Sequence, residues 1–165
     1  MLPGSPTSPL ISPAVAAFMQ SGLSITVAGR GDRLVPSIAR AVGCRVDQDG
    51  HEVSVLLFAP AGEPVCRDVA SNGRVAACFS RPSNHRTVQV KGQDARSMLA
   101  TPQEVAIARR CLDLFIEDLL PLGFERRMLE AMFWGHPEDL MAIRFTPDAA
   151  YAQTPGPEAG RVLRA

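Results

Sequence analysis

Leu34-Val35-Pro36-Ser37-Ile38-Ala39-Arg40-Ala41-Val42-Gly43-Cys44-Arg45-Val46 is a long, largely apolar stretch that reads as one β-strand. Side chains of a strand alternate between two faces. The even positions put Leu34, Pro36, Ile38, Val42, Cys44 and Val46 on one face, with Arg40 as its single charge. The odd positions put Val35, Ser37, Ala39, Ala41, Gly43 and Arg45 on the other. A charge on an apolar face needs a hydrogen-bonded or anionic partner, because an unpaired buried charge is too costly. For Arg40 that partner is either a carboxylate of the chain or a phosphate of a ligand. Gly43 is a candidate for a bulge that resets the alternation.

Working outward, Asp47-Gln48-Asp49-Gly50 is a hairpin turn into a strand over His51–Phe58. Upstream, Gly29-Arg30-Gly31-Asp32 turns back to a strand over Leu23–Ala28. Pro60 to Pro64 reads as a loop, Val65–Ser71 as a short helix ended by Asn72-Gly73, and Arg74–Ser80 as a strand. The next strand spans Arg86–Ala95, with Val88 and Val90 on one face and Thr87, Gln89 and Lys91 on the other. Leu140–Phe145 is the last strand, and Thr146-Pro147 starts one helical turn. Hairpins in place of strand–helix–strand crossovers predict a mainly antiparallel sheet.

The helices are fewer. Ser12-Pro13 starts a short one that Gly22 stops. Thr101-Pro102-Gln103-Glu104 is a capping box with proline at the first helical position. Val105, Ala108, Cys111, Leu112, Phe115 and Leu119 form the stripe of that helix, and Phe124–Phe133 adds a shorter one. Six strands with a minority of helices predict an α+β, mainly β chain: a small barrel with helices packed outside.

The chain has 165 residues, a size suited to one domain. Its 13 glycines and 14 prolines disfavour a long-helix bundle. Zero formal net charge argues against a nucleic-acid partner. Of 17 basic residues only Lys91 is lysine, a skew read mainly as compositional bias towards arginine. Residues 10–29 lack charge, but Pro13 and several hydroxyl side chains break the run, so no membrane span is expected. No basic start precedes it, so no secretory signal is read and a cytoplasmic location is expected. Cys44, Cys66, Cys78 and Cys111 lack CxxC spacing, and His51, His85 and His136 are scattered; neither set predicts a metal site.

No nucleophile elbow, phosphate loop or dinucleotide fingerprint occurs, since Gly29-Arg30-Gly31 lies between two strands. The segment Ser80-Arg81-Pro82-Ser83-Asn84-His85-Arg86-Thr87 is rich in donors and reads either as an anion cradle or as a polar hairpin turn.

The order of these elements resembles the pyridoxamine 5'-phosphate oxidase-like family of FMN-binding split β-barrels, over about residues 12–155. Three stretches carry the resemblance. Val35-Pro36-Ser37-Ile38-Ala39-Arg40-Ala41-Val42-Gly43 is similar to that family's second strand. Asn72-Gly73-Arg74-Val75-Ala76 is similar to its helix-to-strand junction, and Arg86-Thr87-Val88-Gln89-Val90-Lys91-Gly92 to the strand that follows. The resemblance implies a six-stranded antiparallel split β-barrel with peripheral helices over 12–153. A flexible arm over 1–11 and a tail over 154–165 complete the expected organisation. It implies a homodimer with FMN between the subunits and an unidentified small-molecule substrate. Ser37 and Arg40 would reach phosphate or ribityl groups, Thr87 and Gln89 the ring or ribityl chain, and Lys91 is a further cofactor-binding candidate whose donor would flank the groove. The family's phosphate lysine has no counterpart in Glu63-Pro64-Val65-Cys66-Arg67, where Arg67 is the substitute. The C-terminal Arg- and His-bearing substrate motif of true vitamin B6 oxidases is also missing. The expectation is therefore an FMN-binding oxidoreductase-like protein with no assigned catalytic side chain. The alternative is a non-catalytic barrel that binds haem, a deazaflavin or nothing.

Overall fold

The structure is a computed structural model and describes residues 10–164. A short helix α1 (Pro13–Met19) leads into β1 (Ser24–Arg30) and β2 (Pro36–Ala41). There follow β3 (Gly43–Val46), β4 (Val53–Phe58), α2 (Ala59–Asn72), β5 (Val75–Ser80), β6 (Thr87–Gly92) and β7 (Arg96–Leu99). The long helix α3 (Pro102–Leu119), α4 (Arg126–Phe133), β8 (Leu140–Phe145) and β9 (Ala149–Ala152) complete the order. The strands form two antiparallel sheets, β2-β1-β5-β6-β9 and β3-β4-β8-β7.

Six strands were expected and the described residues form nine, in two sheets that share no ladder among those residues, so the barrel is split and not closed. The excess has three sources. The Leu34–Val46 stretch is two strands, because the chain turns a corner at Val42, whose N–H bonds Leu56 O at 2.8 Å. The expected parity reset is that corner. Ala39 and Ala41 are buried before it, and Val42, Cys44 and Val46 after it. A strand that passes between sheets bends in this way. Gly43 lets α3 close on the corner, since a Cβ there would lie 2.8 Å from Ala108 Cα. Secondly, the expected Arg86–Ala95 strand ends at Gly92 as β6, and β7 starts only at Arg96, beyond the expected end, in the other sheet. Thirdly, the helical turn expected at Thr146-Pro147 is extended chain leading to β9, which pairs with β6 along the sheet edge.

Other differences are local. Pro60–Pro64 is not a loop but the first turns of α2, in which Pro64 lies inside the helix. Burial explains this: Gly62, Val65 and Val69 face inward, and the last two join the main core. The two sheets close on that core, where Phe79, Phe145, Ile25 and Leu57 are fully buried. A second apolar layer lies between the four-stranded sheet and α3, built on Leu56, Ala108, Leu140 and Ala142. Leu112, Phe115, Ile116 and Leu129 continue it to α4.

Both caps read from the sequence form. Ser12 Oγ accepts from Val15 N, and the Thr101–Glu104 box is complete. Glu104 does more than cap, because it is buried and takes the Arg144 guanidinium of β8 through both carboxylate oxygens at 2.8–3.2 Å. Burial alone pushes its carboxyl up. The Thr101 donors and Arg144 outweigh that and hold it below the ordinary value. The pair pins α3 to the four-stranded sheet. With that sheet's outer face covered by α3, the five-stranded sheet is the one whose outer face can meet a ligand. Residues 154–163 fold back along β9: Tyr151 bridges Val162, and Leu163 packs on the core.

Candidate functional site

The register of the five-stranded sheet fixes what its outer face shows. Residues opposite one another in an antiparallel ladder share a face. One row across the sheet is Arg40, Thr26, Cys78, Gln89 and Tyr151. The neighbouring row is Ile38, Ala28, Ala76, Lys91 and Ala149. On the other side lie Ser24, Ser80 and Thr87. The centre of the face is therefore a floor of small side chains, Ala28, Ala76 and Cys78. Arg40 stands on β2 at one side, and Gln89 and Lys91 on β6 at the other. Ile38 in this plane is 69% exposed.

The structure divides the six residues expected at the site. Arg40, Thr87, Gln89 and Lys91 share this outer face. Arg40 does not stand on a buried apolar face, as the alternation had implied. It is exposed, its Nη1 donates to Ser24 Oγ at 2.9 Å, and its guanidinium lies 5.3 Å from the Phe133 ring centroid. Counting alternation through the corner at Val42 put it on the wrong side. Its partners are a hydroxyl and an aromatic ring, not a carboxylate. Thr87 is buried and already engaged: its hydroxyl meets Ser80 Oγ and donates to His85 O at 2.9 Å. Gln89 is half-buried, and Lys91 Nζ lies 5.2 Å from the Tyr151 ring centroid.

Ser37 and Arg67 lie elsewhere, at α2. Ser37 Oγ donates to Asp68 at 2.6 Å, and Arg67 pairs with Glu63 at 3.0 Å. They line one cleft with Asp32, Arg33 and Asp68, where acids offset the bases. The donor-rich turn before β6 is also committed to structure. Arg81 donates to Ser21 Oγ at 2.6 Å, Arg86 stacks on Phe18, and Ser83 donates to Asp118 at 2.6 Å.

Two cavities border the outer face. A cavity of about 470 Å³ beyond Arg40 is lined by Val42, Phe58, Pro60, Met132, Phe133 and Trp134. Phe58 and Trp134 meet edge to face at 5.4 Å, and Arg40 is the only charged lining residue. A second, of about 500 Å³, lies at the far end of β1 and β5 and contains Arg30, Arg74, Lys91, Gln93 and Asp148. Neither Arg30 nor Arg74 was read as a site residue. The junction Asn72-Gly73-Arg74 was noticed only as a resemblance, and that was the available signal. Among the described residues, no three His, Cys, Asp or Glu side chains gather in a metal-binding group. No helix among them is long and apolar enough to cross a membrane.

This architecture is the split β-barrel of the pyridoxamine 5'-phosphate oxidase-like proteins. HupZ of Group A Streptococcus superposes with a TM-score of 0.56 at 11% identity, covering 91% of this chain and 99% of that one. A candidate pyridoxamine 5'-phosphate oxidase of Lactobacillus delbrueckii gives 0.52 at 10% identity, covering 86% and 93%. HutZ of Vibrio cholerae, a haem storage protein, gives 0.48 at 13%, covering 86% and 94%. At these identities the first two likenesses define the fold alone. No family model and no curated protein matches the chain.

Proposed function

We propose that this chain binds FMN on the outer face of the five-stranded sheet, as one subunit of a homodimer, and acts as an oxidoreductase-type flavoprotein distinct from the vitamin B6 oxidases. One observation carries the reading: a floor of small, partly exposed side chains, Ala28, Ala76 and Cys78, bordered by the donors of Arg40 and Gln89. A planar ring needs such a floor, and donors at its edge stabilise the reduced form. The exposed Ile38 in the same plane is apolar surface that a second subunit would cover. When bound, the flavin supplies hydride acceptance. The chain orients the ring and sets the polarity at its edge. Ser37 and Arg67, held by carboxylates behind that face, take no part.

The test is titration of the purified protein with FMN, followed by quenching of flavin fluorescence and by the mass of the complex in solution. The reading requires saturation at one FMN per chain in a dimer. A monomer that leaves FMN fluorescence unchanged overturns it.

The aromatic cavity favours a second reading. Phe58, Phe133 and Trp134 around a single arginine suit a planar ligand other than FMN, such as haem or a deazaflavin. Saturable binding of one of these, with none of FMN, would establish it.

A further inference from the structure

The cavity at the far end of β1 and β5 is a built corner. Arg30, at the end of β1, and Arg74, just before β5, are brought to the same end of one strand pair whose register runs to Ala28↔Ala76. Alternation puts Arg30 on the outer face with Ala28, Arg74 with Ala76, and Lys91 opposite Ala76. A single side chain fastens the two arginine-bearing segments together. Asn72 Nδ2 donates to Arg30 O at 2.7 Å, and Asn72 Oδ1 accepts from Arg74 N at 3.0 Å. Between them Gly73 adopts φ +69° and brings the chain so close to Gln93 that a Cβ would lie 2.6 Å from Gln93 O. The far wall is Leu34, a non-glycine residue at φ +60° that is 67% exposed.

Charge in this corner is unbalanced. Three cations, Arg30, Arg74 and Lys91, line it with one carboxylate, Asp148. Asp148 is occupied by Gln93 Nε2 at 2.8 Å and forms no ion pair with any of the three. Among the described residues none of the three cations has a carboxylate within ion-pair distance. Like charges held side by side repel, and the cost is removed by an anion that bridges them. A net excess of two positive charges matches the dianion of a phosphomonoester better than a single carboxylate. The remaining lining is Ala28, Ala76, Val75 and Pro36, apolar surface continuous with the floor of the outer face.

We infer that the Arg30–Arg74–Lys91 corner is a phosphate subsite that takes the phosphomonoester end of a ligand whose flat body lies on the Ala28–Ala76 floor. Only the identity of that body rests on the flavin reading. The corner itself rests on its cations and on Asn72.

The experiment titrates the full chain with sodium phosphate at constant ionic strength and follows backbone amide signals by two-dimensional NMR. The expected result is saturable shifts at Arg30, Gly73, Arg74 and Gln93, with binding about tenfold weaker in Arg74→Gln and in Lys91→Gln. Shifts that are absent, that fail to saturate, or that chloride reproduces overturn the subsite. A second arm compares FMN with riboflavin, which lacks the phosphate. FMN should bind at least about tenfold more tightly, and Arg74→Gln should erase the difference. Phosphate binding at the corner with neither flavin bound sinks the flavin reading and leaves the subsite standing. Equal binding of both flavins, with no phosphate shifts, does the reverse.

Discussion

Replacing Glu104 with Ala should cost about 3 kcal/mol of folding stability. The carboxylate is 1% exposed and joins two elements that are distant in sequence. It accepts from Thr101 N at 2.8 Å at the start of α3, and from Arg144 Nε and Nη2 on β8 at 2.8–3.2 Å. Removing one partner of a buried pair costs about 3–5 kcal/mol, because the other charge is left unpaired. The Arg144 side chain is 22% exposed, so water recovers part of that and leaves about 2 kcal/mol. Loss of the Thr101 cap is a further part of the total, at about 1 kcal/mol. Against a whole-domain stability of roughly 5–15 kcal/mol this is a large fraction. Urea unfolding followed by circular dichroism measures it, and the midpoint should fall by about 1–2 M. The double variant Glu104→Ala, Arg144→Met should be more stable than the single one, since no charge is stranded. A single-variant loss below about 1 kcal/mol, or a double variant no better than the single, would refute the reasoning.

Four further outcomes are expected. Because the Glu104 carboxyl is held below its ordinary value when folded, its stabilisation is fully present above the unfolded-state carboxylate pKa. It is lost as pH falls through the depressed folded value, so the acid limb of the stability curve should flatten in Glu104→Ala. Gly73→Ala should destabilise by about 2 kcal/mol in the same urea assay, from its positive φ and the Gln93 carbonyl in its way. Arg40→Ala should weaken FMN binding about tenfold while changing stability by about 1 kcal/mol, since Arg40 is exposed and gives up one hydrogen bond and one ring contact. Burial pushes all four thiols up, so alkylation at neutral pH should be slow throughout, and Cys44 and Cys111 should react only after unfolding. Cys78 lies on the proposed ring floor, so FMN should slow its alkylation further and leave that of Cys66 on α2 unchanged.

What the sequence revealed follows the range of the interactions involved. The Thr101–Glu104 cap was legible because all its parts lie within one turn, and the same holds for Ser12. The alternation of Thr87, Gln89 and Lys91 was legible because β6 runs uninterrupted and is paired on both sides. Arg40 was misplaced because the alternation was counted straight through the corner at Val42, although Gly43 beside it is the residue that signals a reset. The strand β9 went unseen since Ala149-Ala150-Tyr151-Ala152 has little β-propensity of its own and is held by pairing with β6. Pro60 and Pro64 disguised the start of α2, which tertiary burial of Gly62 and Val65 overrides. The Arg30–Arg74 corner was invisible for a different reason. Its members meet only once β1 pairs with β5, and no local pattern announces that pairing. Asn72, legible as a helix end, proves to be the side chain that fastens the corner.

The most direct test of the central claim is a crystal structure of the chain grown with FMN. The account predicts a dimer with the flavin ring on Ala28, Ala76 and Cys78, beside Arg40 and Gln89 and within reach of a second copy. A ring seated instead among Phe58, Phe133 and Trp134, or a face that stays free of flavin at saturating FMN, would contradict it.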